Sequence, residues 1–395
     1  MNTIPINHIK IQFFDGTYRI KAPEETYKDI RDIMDEIGVT DITDITSVDR
    51  LDIPVYCAVR PRAARGVSKV HWGKGKEPIH AEVSAMMEAI ERFSAEYQGS
   101  HLKLASYEEL GLTKAVDPHD LILPKKLEIG EKIHWTLTRD ILNDEDIYVP
   151  SNAIYHPYDP LGMANHLFRS DSNGLASGNV IEEAILHAIY EVVERDALSI
   201  AERNRSLGKR LTITPDCPAR HLLETFENDG IKINLWLLDG KTKIPTVAAA
   251  ADDTVTKNPA MLVIGSGTHA HPEIAALRAL SEVAQSRASE LHLEHENIVN
   301  TSRRREIIEK AGYERMKRIN RMWFAEAGET DINTVQDLSS EYLDENITHA
   351  LEEISHHAER VCVCNMSKTK IPVVRVVIPG FEVSYMDSSR KPVRN

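Results

Sequence analysis

The sequence predicts an α+β fold: one composite domain in which long helices pack with several mixed sheets. Three observations predict it. β-rich runs such as Val55–Val59 and Ile371–Ile378 alternate with helical segments without a strict βαβ rhythm, which disfavours a doubly wound sheet. Three long segments carry apolar residues at helical spacing with carboxylates gathered on one face. No obvious linker divides the 395 residues, so 1–395 reads as a single unit. The portion up to about residue 75 and a charged helical stretch over about 295–360 are candidate subdomains.

Taken in order, Ile9–Tyr18 alternates loosely and predicts a strand. Pro23–Glu36 predicts a helix with its proline near the start. Val55–Val59 predicts a strand, followed by a Gly-Lys-Gly turn at Gly73–Gly75 and a long helix over Ile79–Tyr97. Residues 101–170 read as loop-rich with short strands such as Ile147–Val149. The small-residue run Ser172–Gly178 reads as a turn, with Asn179 as N-cap of a second long helix reaching about Ala201. Strands are expected at Ile231–Leu238, Thr246–Ala251 and Met261–Ile264. A Gly-Ser-Gly turn at Gly265–Gly267 precedes a third helix that begins near Pro272 and passes Ser289. Charged helices over 295–360 and a strand at Ile371–Ile378 complete the chain.

The net charge of −14 disfavours a phosphate-backbone partner, so nucleic acid is not expected. No run approaches the length of a membrane span, and Met1–Phe14 lacks the pattern of a signal peptide. Four cysteines, Cys57, Cys217, Cys362 and Cys364, make no disulfide framework, and a cytoplasmic location is expected.

The first long helix places Ser84, Glu88 and Glu91 on one face. The second gathers Glu183, His187, Glu191 and Glu194 on a polar stripe opposite Ile181, Ile185, Ala188, Ile189 and Val192. The third brings Arg278, Glu282 and Gln285 together. Taken alone, such spacing on any one helix suits a solvated face better than a binding site. Three features weigh for a site: E-x-x-E-R occurs twice, ending at Arg92 and Arg195; both copies lie in strongly apolar helices; and each helix follows a glycine-containing turn. Clustered carboxylates repel unless a cation joins them. Mg2+ takes hard oxygen ligands, commonly one or two carboxylates plus phosphates. An acidic cleft would then attract a triphosphate through its metal, with Arg and Lys adding phosphate contacts.

At these residues the sequence resembles the YcaO family. The resemblance runs collinearly through Ile45–Pro61, Gly73–Gly75, Ser84–Ser94, Ser172–Ala197 and Gly265–Arg287. It implies a YcaO-like composite fold whose long helices line an ATP and Mg2+ cleft, without a P-loop; the sequence has no GxxxxGK[ST]. It further implies ATP contacts from Ser84, Asn179, Arg195, Arg278, Lys74 and Gln285, and Mg2+ contacts from Glu88, Glu91, Glu183, Glu191, Glu194 and Glu282. Arg287 matches less firmly. The implied activity is O-phosphorylation of a peptide backbone amide, followed by nucleophilic addition. An internal thiol or hydroxyl gives an azoline; sulfide gives a thioamide.

Azoline-forming members typically end in a PxPxP tail, whereas this sequence ends YMDSSRKPVRN, and no fused partner segment is visible. Both points, together with Val373–Tyr385, resemble the stand-alone archaeal branch. The implied product is a thioglycine in methyl-coenzyme M reductase, made with sulfide and a TfuA-like partner; a homodimer is compatible. The alternatives are an azoline-forming cyclodehydratase and a non-catalytic nucleotide-binding scaffold. Among weaker signals, Cys362 and Cys364 suit a buried strand face or a sulfur-carrying pair, and His187 suits a proton shuttle or a supporting hydrogen bond. His356 and His357 match no zinc spacing, and Arg303–Arg305 suits a solvated face or a docking patch. No general base is assignable.

Overall fold

Proline placement fixes several helix starts, because the first turn has no intrahelical use for the N–H that proline lacks. Pro23, Pro78, Pro218 and Pro272 all open helices. The computed structural model describes residues 5–14, 16–99, 102–158, 165–295 and 302–392. The chain begins with β1 (Gln12–Phe14), β2 (Thr17–Arg19), α1 (Pro23–Ile30), α2 (Ile33–Glu36), β3 (Asp41–Asp44), β4 (Val55–Val59), β5 (Val70–Lys74) and α3 (Pro78–Ala95). It continues with β6 (Lys103–Ala105), α4 (Tyr107–Leu110), β7 (Ile133–Asp140), β8 (Glu145–Pro150), β9 (Leu175–Ser177), α5 (Ile181–Asn204), β10 (Lys209–Thr212) and α6 (Pro218–Asn228). It ends with β11 (Ile231–Leu237), β12 (Thr246–Asp253), β13 (Ile264–Thr268), α7 (Pro272–His295), α8 (Ser302–Ala311), α9 (Tyr313–Ile319), β14 (Glu329–Asp331), α10 (Leu343–Ser355), β15 (Cys362–Asn365) and β16 (Val373–Val377).

The described residues form four sheets: the hairpin β1-β2, the meander β3-β4-β5, the sheet β6-β7-β15-β16-β9 with β8 also on β7, and β13-β12-β11-β10-β14. All pairings between these strands are antiparallel except β10 with β14. This is the α+β class expected.

Each of the last three sheets backs one long helix. Ala85, Met86, Ala89 and Ile90 of α3 pack with Ala58 of β4. Ile185, Ile189, Val192 and Val193 of α5 pack against Val374 and Val376 of β16 and Ile347 and Ile354 of α10. Ala275, Ala279, Leu280 and Val283 of α7 pack on Val247, Ala249 and Ala251 of β12. On the carboxylate stripe of α5, Glu183 and Glu194 are buried and Glu191 is half-buried, so the stripe is not an outer solvated face.

Several expectations are corrected. Ile9–Tyr18 is a tight hairpin, because Gly16 at φ +109° reverses the chain. Pro23–Glu36 breaks into two helices, which lets Ile30, Ile33, Met34 and Ile37 all reach the core. The third expected strand starts at Ile264, not Met261, because Asn258 accepts a hydrogen bond from the Ala260 amide and caps a 3-10 turn at Pro259–Met261. Asn179 is not the N-cap of α5; Val180 occupies that place, and Asn179 instead donates from its amide and side chain to Glu183 Oε2. The described part of 295–360 is mostly helical as expected, with the short strand β14 among its helices.

The three glycine-containing turns are also corrected, with one shared reason. Gly73 lies within β5, Gly265 and Gly267 within β13, and Ser172–Gly178 contains β9. A Cβ on Gly73 would stand 2.0 Å from the Ala81 carbonyl oxygen of α3. One on Gly265 or Gly267 would stand 2.3 Å from a carbonyl oxygen of α7, and one on Gly178 would stand 2.6 Å from the Ala184 amide of α5. These glycines bring strand and helix backbones together.

Candidate functional site

The three helices and their strands close into a ring. Helix α3 lies on β5 and also touches β9; α5 lies on β9 and also touches β13; α7 lies on β13 and also touches β5. Small residues on the strands permit the close approach, and the helix carboxylates then reach strand amides and hydroxyls. Glu88 of α3 accepts from the Trp72 amide of its own strand β5 at 2.8 Å. Glu91 reaches the next strand and accepts from the Ser177 amide and hydroxyl at 2.8 and 2.7 Å. Glu194 of α5 likewise accepts from the Ser266 hydroxyl of β13 at 2.9 Å. Glu282 of α7 accepts from the Ser266 amide and hydroxyl at 3.0 and 3.3 Å, and on its other side faces Lys74 of β5 at 3.8 Å.

Inside this ring is a cavity of about 710 Å³. All twelve residues singled out from the sequence line it: Ser84, Asn179, Arg195, Arg278, Lys74 and Gln285, with Glu88, Glu91, Glu183, Glu191, Glu194 and Glu282. The cavity is not the acidic cleft that was expected. Arg19, Lys21, Lys74, Lys76, Arg92, Arg195 and Arg278 face the six glutamates and Asp52 within it. In a chain of net charge −14, seven cations here offset the seven carboxylates, and a metal would tip the balance toward a polyanion.

Sequence reasoning missed Ser177 and Ser266, which anchor the carboxylates, because a strand serine has no periodic signature. It also missed Arg19 of β2 and His269, both in the cavity wall. The glycine flanks of Ser266 were the available signal, read as a turn. Arg287, a weaker match, is not in the cavity. It is buried, donating to Asp49 at 2.7 and 3.1 Å and to Asp253 at 3.2 Å. Asp253 also takes a paired contact from Arg50, and against the upward push of burial these hydrogen bonds hold its carboxyl well below the usual range. This network ties α7 to the loop before β4.

The protonation pattern separates the carboxylates. Burial pushes Glu91 up to about 7 despite Arg92 and the Ser177 hydrogen bonds. Burial likewise pushes Glu191 up to about 7 despite Arg195 and Arg92. Glu282 is held low instead, where Lys74, Arg195 and Ser266 outweigh burial. Two carboxylates that resist ionisation at neutral pH form a donor set short of positive charge, and a divalent cation would supply it. No three His, Cys, Asp or Glu among the described residues gather as a metal-binding group. The carboxylates are spread in ones and twos, which fits Mg2+ shared between protein and phosphate oxygens, not an all-protein cage.

Cys362 and Cys364 are both buried, and burial pushes their thiols up, that of Cys364 to about 12. A sulfur-carrying role needs a thiolate, so the structural reading holds. In the native protein, iodoacetamide is expected to label the half-buried Cys217 first, and Cys362 and Cys364 only after denaturation; peptide mass mapping after a timed pulse checks this. Arg305 pairs with Glu294 and Glu309, as a solvated helix face does, while the side chains of Arg303 and Arg304 lie outside the described residues. Among the described residues no helix is long and apolar enough to cross a membrane.

The family model of the YcaO cyclodehydratases, ATP- and Mg2+-binding, matches residues 72–382. An uncharacterised protein of Methanothermobacter thermautotrophicus is 42% identical over 377 residues, covering 93% of this chain and 96% of its own. An uncharacterised protein in the tfuA 3′ region of Rhizobium leguminosarum bv. trifolii is 29% identical over 389 residues, covering 92% and 89%. In three dimensions the chain is similar to YcaO from Methanopyrus kandleri bound with AMPPCP and Mg2+, with a TM-score of 0.79, 27% identity and 97% of each chain covered.

Proposed function

The chain belongs to the YcaO family, whose cofactors are ATP and Mg2+, and from that premise we propose that it is a peptide thioamide synthase. On this reading it activates a backbone amide by phosphorylation and converts it to a thioamide with sulfide, at a glycine of the methyl-coenzyme M reductase alpha subunit. One observation carries the catalytic part: carboxylates and cations from three helices converge on one cavity of nucleotide size. The choice of sulfide and of substrate draws on relatives in Methanothermobacter and Methanopyrus, and the TfuA-like helper on the relative encoded beside tfuA.

The amide oxygen attacks the γ-phosphorus of ATP, releasing ADP, and hydrosulfide then adds to the activated amide carbon. Collapse expels the phosphorylated oxygen as phosphate, the sulfur sheds its proton, and C=S replaces C=O. An amide oxygen leaves poorly until phosphorylated, so the protein's task is positioning and charge stabilisation. Arg195, Arg278 and Lys74 hold the phosphates, while Ser84, Asn179 and Gln285 fix the nucleotide. Glu88, Glu91, Glu183, Glu191, Glu194 and Glu282 hold the metal, which neutralises phosphate charge when bound. The geometry assigns no residue as general base.

The test is mass spectrometry of a glycine peptide from the reductase incubated with protein, ATP, Mg2+ and sulfide. Replacement of one oxygen by one sulfur is the expected product. Loss of one water on a Cys- or Ser-containing peptide would move the assignment to azoline formation. No product and no phosphate release with either peptide would overturn both enzymatic readings.

A further inference from the structure

His187 projects from α5 one turn after Glu183 and one turn before Glu191, and lines the cavity. Its Nε2 lies 2.9 Å from an Nη2 of Arg278, the cavity arginine on α7. A guanidinium only donates, so Nε2 must present its lone pair, and the imidazole proton sits on Nδ1. Burial, then the charges of Arg278 and Arg19, holds this ring well below the usual histidine range, so it stays neutral. One nitrogen is thereby occupied by Arg278 and the other by the proton. No lone pair remains to take a proton from a substrate.

The neighbouring histidine shows the same economy with the opposite tautomer. His269 Nδ1 accepts from the His271 backbone amide at 2.9 Å, which places its proton on Nε2. Its ring lies against Tyr18 of β2 and Tyr190 of α5, with centroids 6.0 and 5.3 Å apart. Both neutral rings thus line the cavity with Arg278, His187 accepting from it and His269 packed on Tyr18 and Tyr190. Without the His187 acceptor, a long arginine would have several rotamers available, and ordering it would fall on the nucleotide.

We propose that His187 is a positioning residue, which uses its Nε2 lone pair to hold Arg278 in the phosphate-binding pose and does not relay protons. The proposal rests on the reading of the cavity as the nucleotide site, and its test separates the two. First, nitrogen-15 NMR of the histidine rings, assigned with His187→Gln, reads the tautomer without any turnover. A neutral ring protonated on Nδ1 is expected; an imidazolium or an Nε2-protonated ring overturns the proposal. Second, AMPPCP binding with Mg2+ and steady-state ATP turnover are compared across variants. His187→Leu removes the acceptor at similar volume and is expected to weaken AMPPCP binding and raise KM for ATP about tenfold, with a smaller effect on kcat. His187→Gln, whose side-chain oxygen can accept from Arg278, is expected to stay within about threefold of the native values. Equal losses in both variants, or a loss confined to kcat, overturn the proposal. A native protein that binds no AMPPCP overturns the nucleotide-site reading instead, and the NMR result still decides whether His187 holds Arg278.

Discussion

Glu191→Gln is expected to lower peptide-dependent ATP turnover about 100-fold or more while making the metal-free protein more stable above about pH 7. The loss follows from removing a charged metal ligand; even hydrogen-bonding partners one shell out are commonly worth about 10- to 100-fold. The gain follows from burial. The Glu191 carboxyl is pushed up to about 7, above the ordinary carboxylate range that it has in the unfolded chain. Between that range and about pH 7, the folded state holds a proton that the unfolded chain has released. Stability therefore falls as the pH rises, and above about 7 the fold carries a buried charge that glutamine lacks. The difference in melting temperature between variant and native protein should grow from pH 5 to pH 8 in the presence of chelator. Mg2+ with AMPPCP should then stabilise the native protein and leave the variant unmoved. Unchanged turnover would remove Glu191 from the site. Lost turnover with a lowered melting temperature at pH 8 would make the residue structural.

This trade between stability and activity explains which parts of the site were legible in the sequence. A carboxylate in an apolar helix is locally inconsistent, and the helical period makes the inconsistency visible at Glu183, Glu191 and Glu194 without any structure. Their hydrogen-bond partners had no such mark. Ser177 and Ser266 are ordinary residues in short strands, and what matters is that their amides face a carboxylate of a neighbouring helix. Arg19 enters from a hairpin more than 150 residues before α5, a relation that no local pattern encodes. The fold shows the same division. Val55–Val59 was readable because β-favouring Val55, Tyr56 and Val59 fill a short apolar run, and α3, α5 and α7 were readable from their period. Strands β5, β9 and β13 were not. In β5 and β13 the positions pressed against helix backbones are glycines (Gly73, Gly265 and Gly267), and β9 is only three residues long, so none shows the buried apolar alternation that identifies a strand. Glycine there looks the same in sequence as glycine in a turn, although one reason is space and the other is torsion angle.

Gly73→Val tests that distinction directly, and it is expected to cost on the order of 3 kcal/mol or more of stability, beyond ordinary overpacking, because the obstacle is backbone. The new Cβ would stand 2.0 Å from the Ala81 carbonyl oxygen and 2.2 Å from the Ala85 amide nitrogen, and neither can rotate away. Relief requires α3 to lift from β5. That movement would separate Glu88 from the Trp72 amide and carry Ser84 and Glu91 away from the opposite wall of the cavity. Gly73 has no left-handed torsion to satisfy, so even Gly73→Ala should destabilise, through the same contact. Gly38, in contrast, has φ +79° and nothing within 4 Å of a built Cβ. An alanine there meets only the torsional penalty, about 1 kcal/mol. Urea titrations of Gly73→Ala, Gly73→Val and Gly38→Ala rank the three. A Gly73→Ala cost equal to or below that of Gly38→Ala would mean that β5 and α3 are not in close contact, and the ring that gathers the glutamates would lose its first joint.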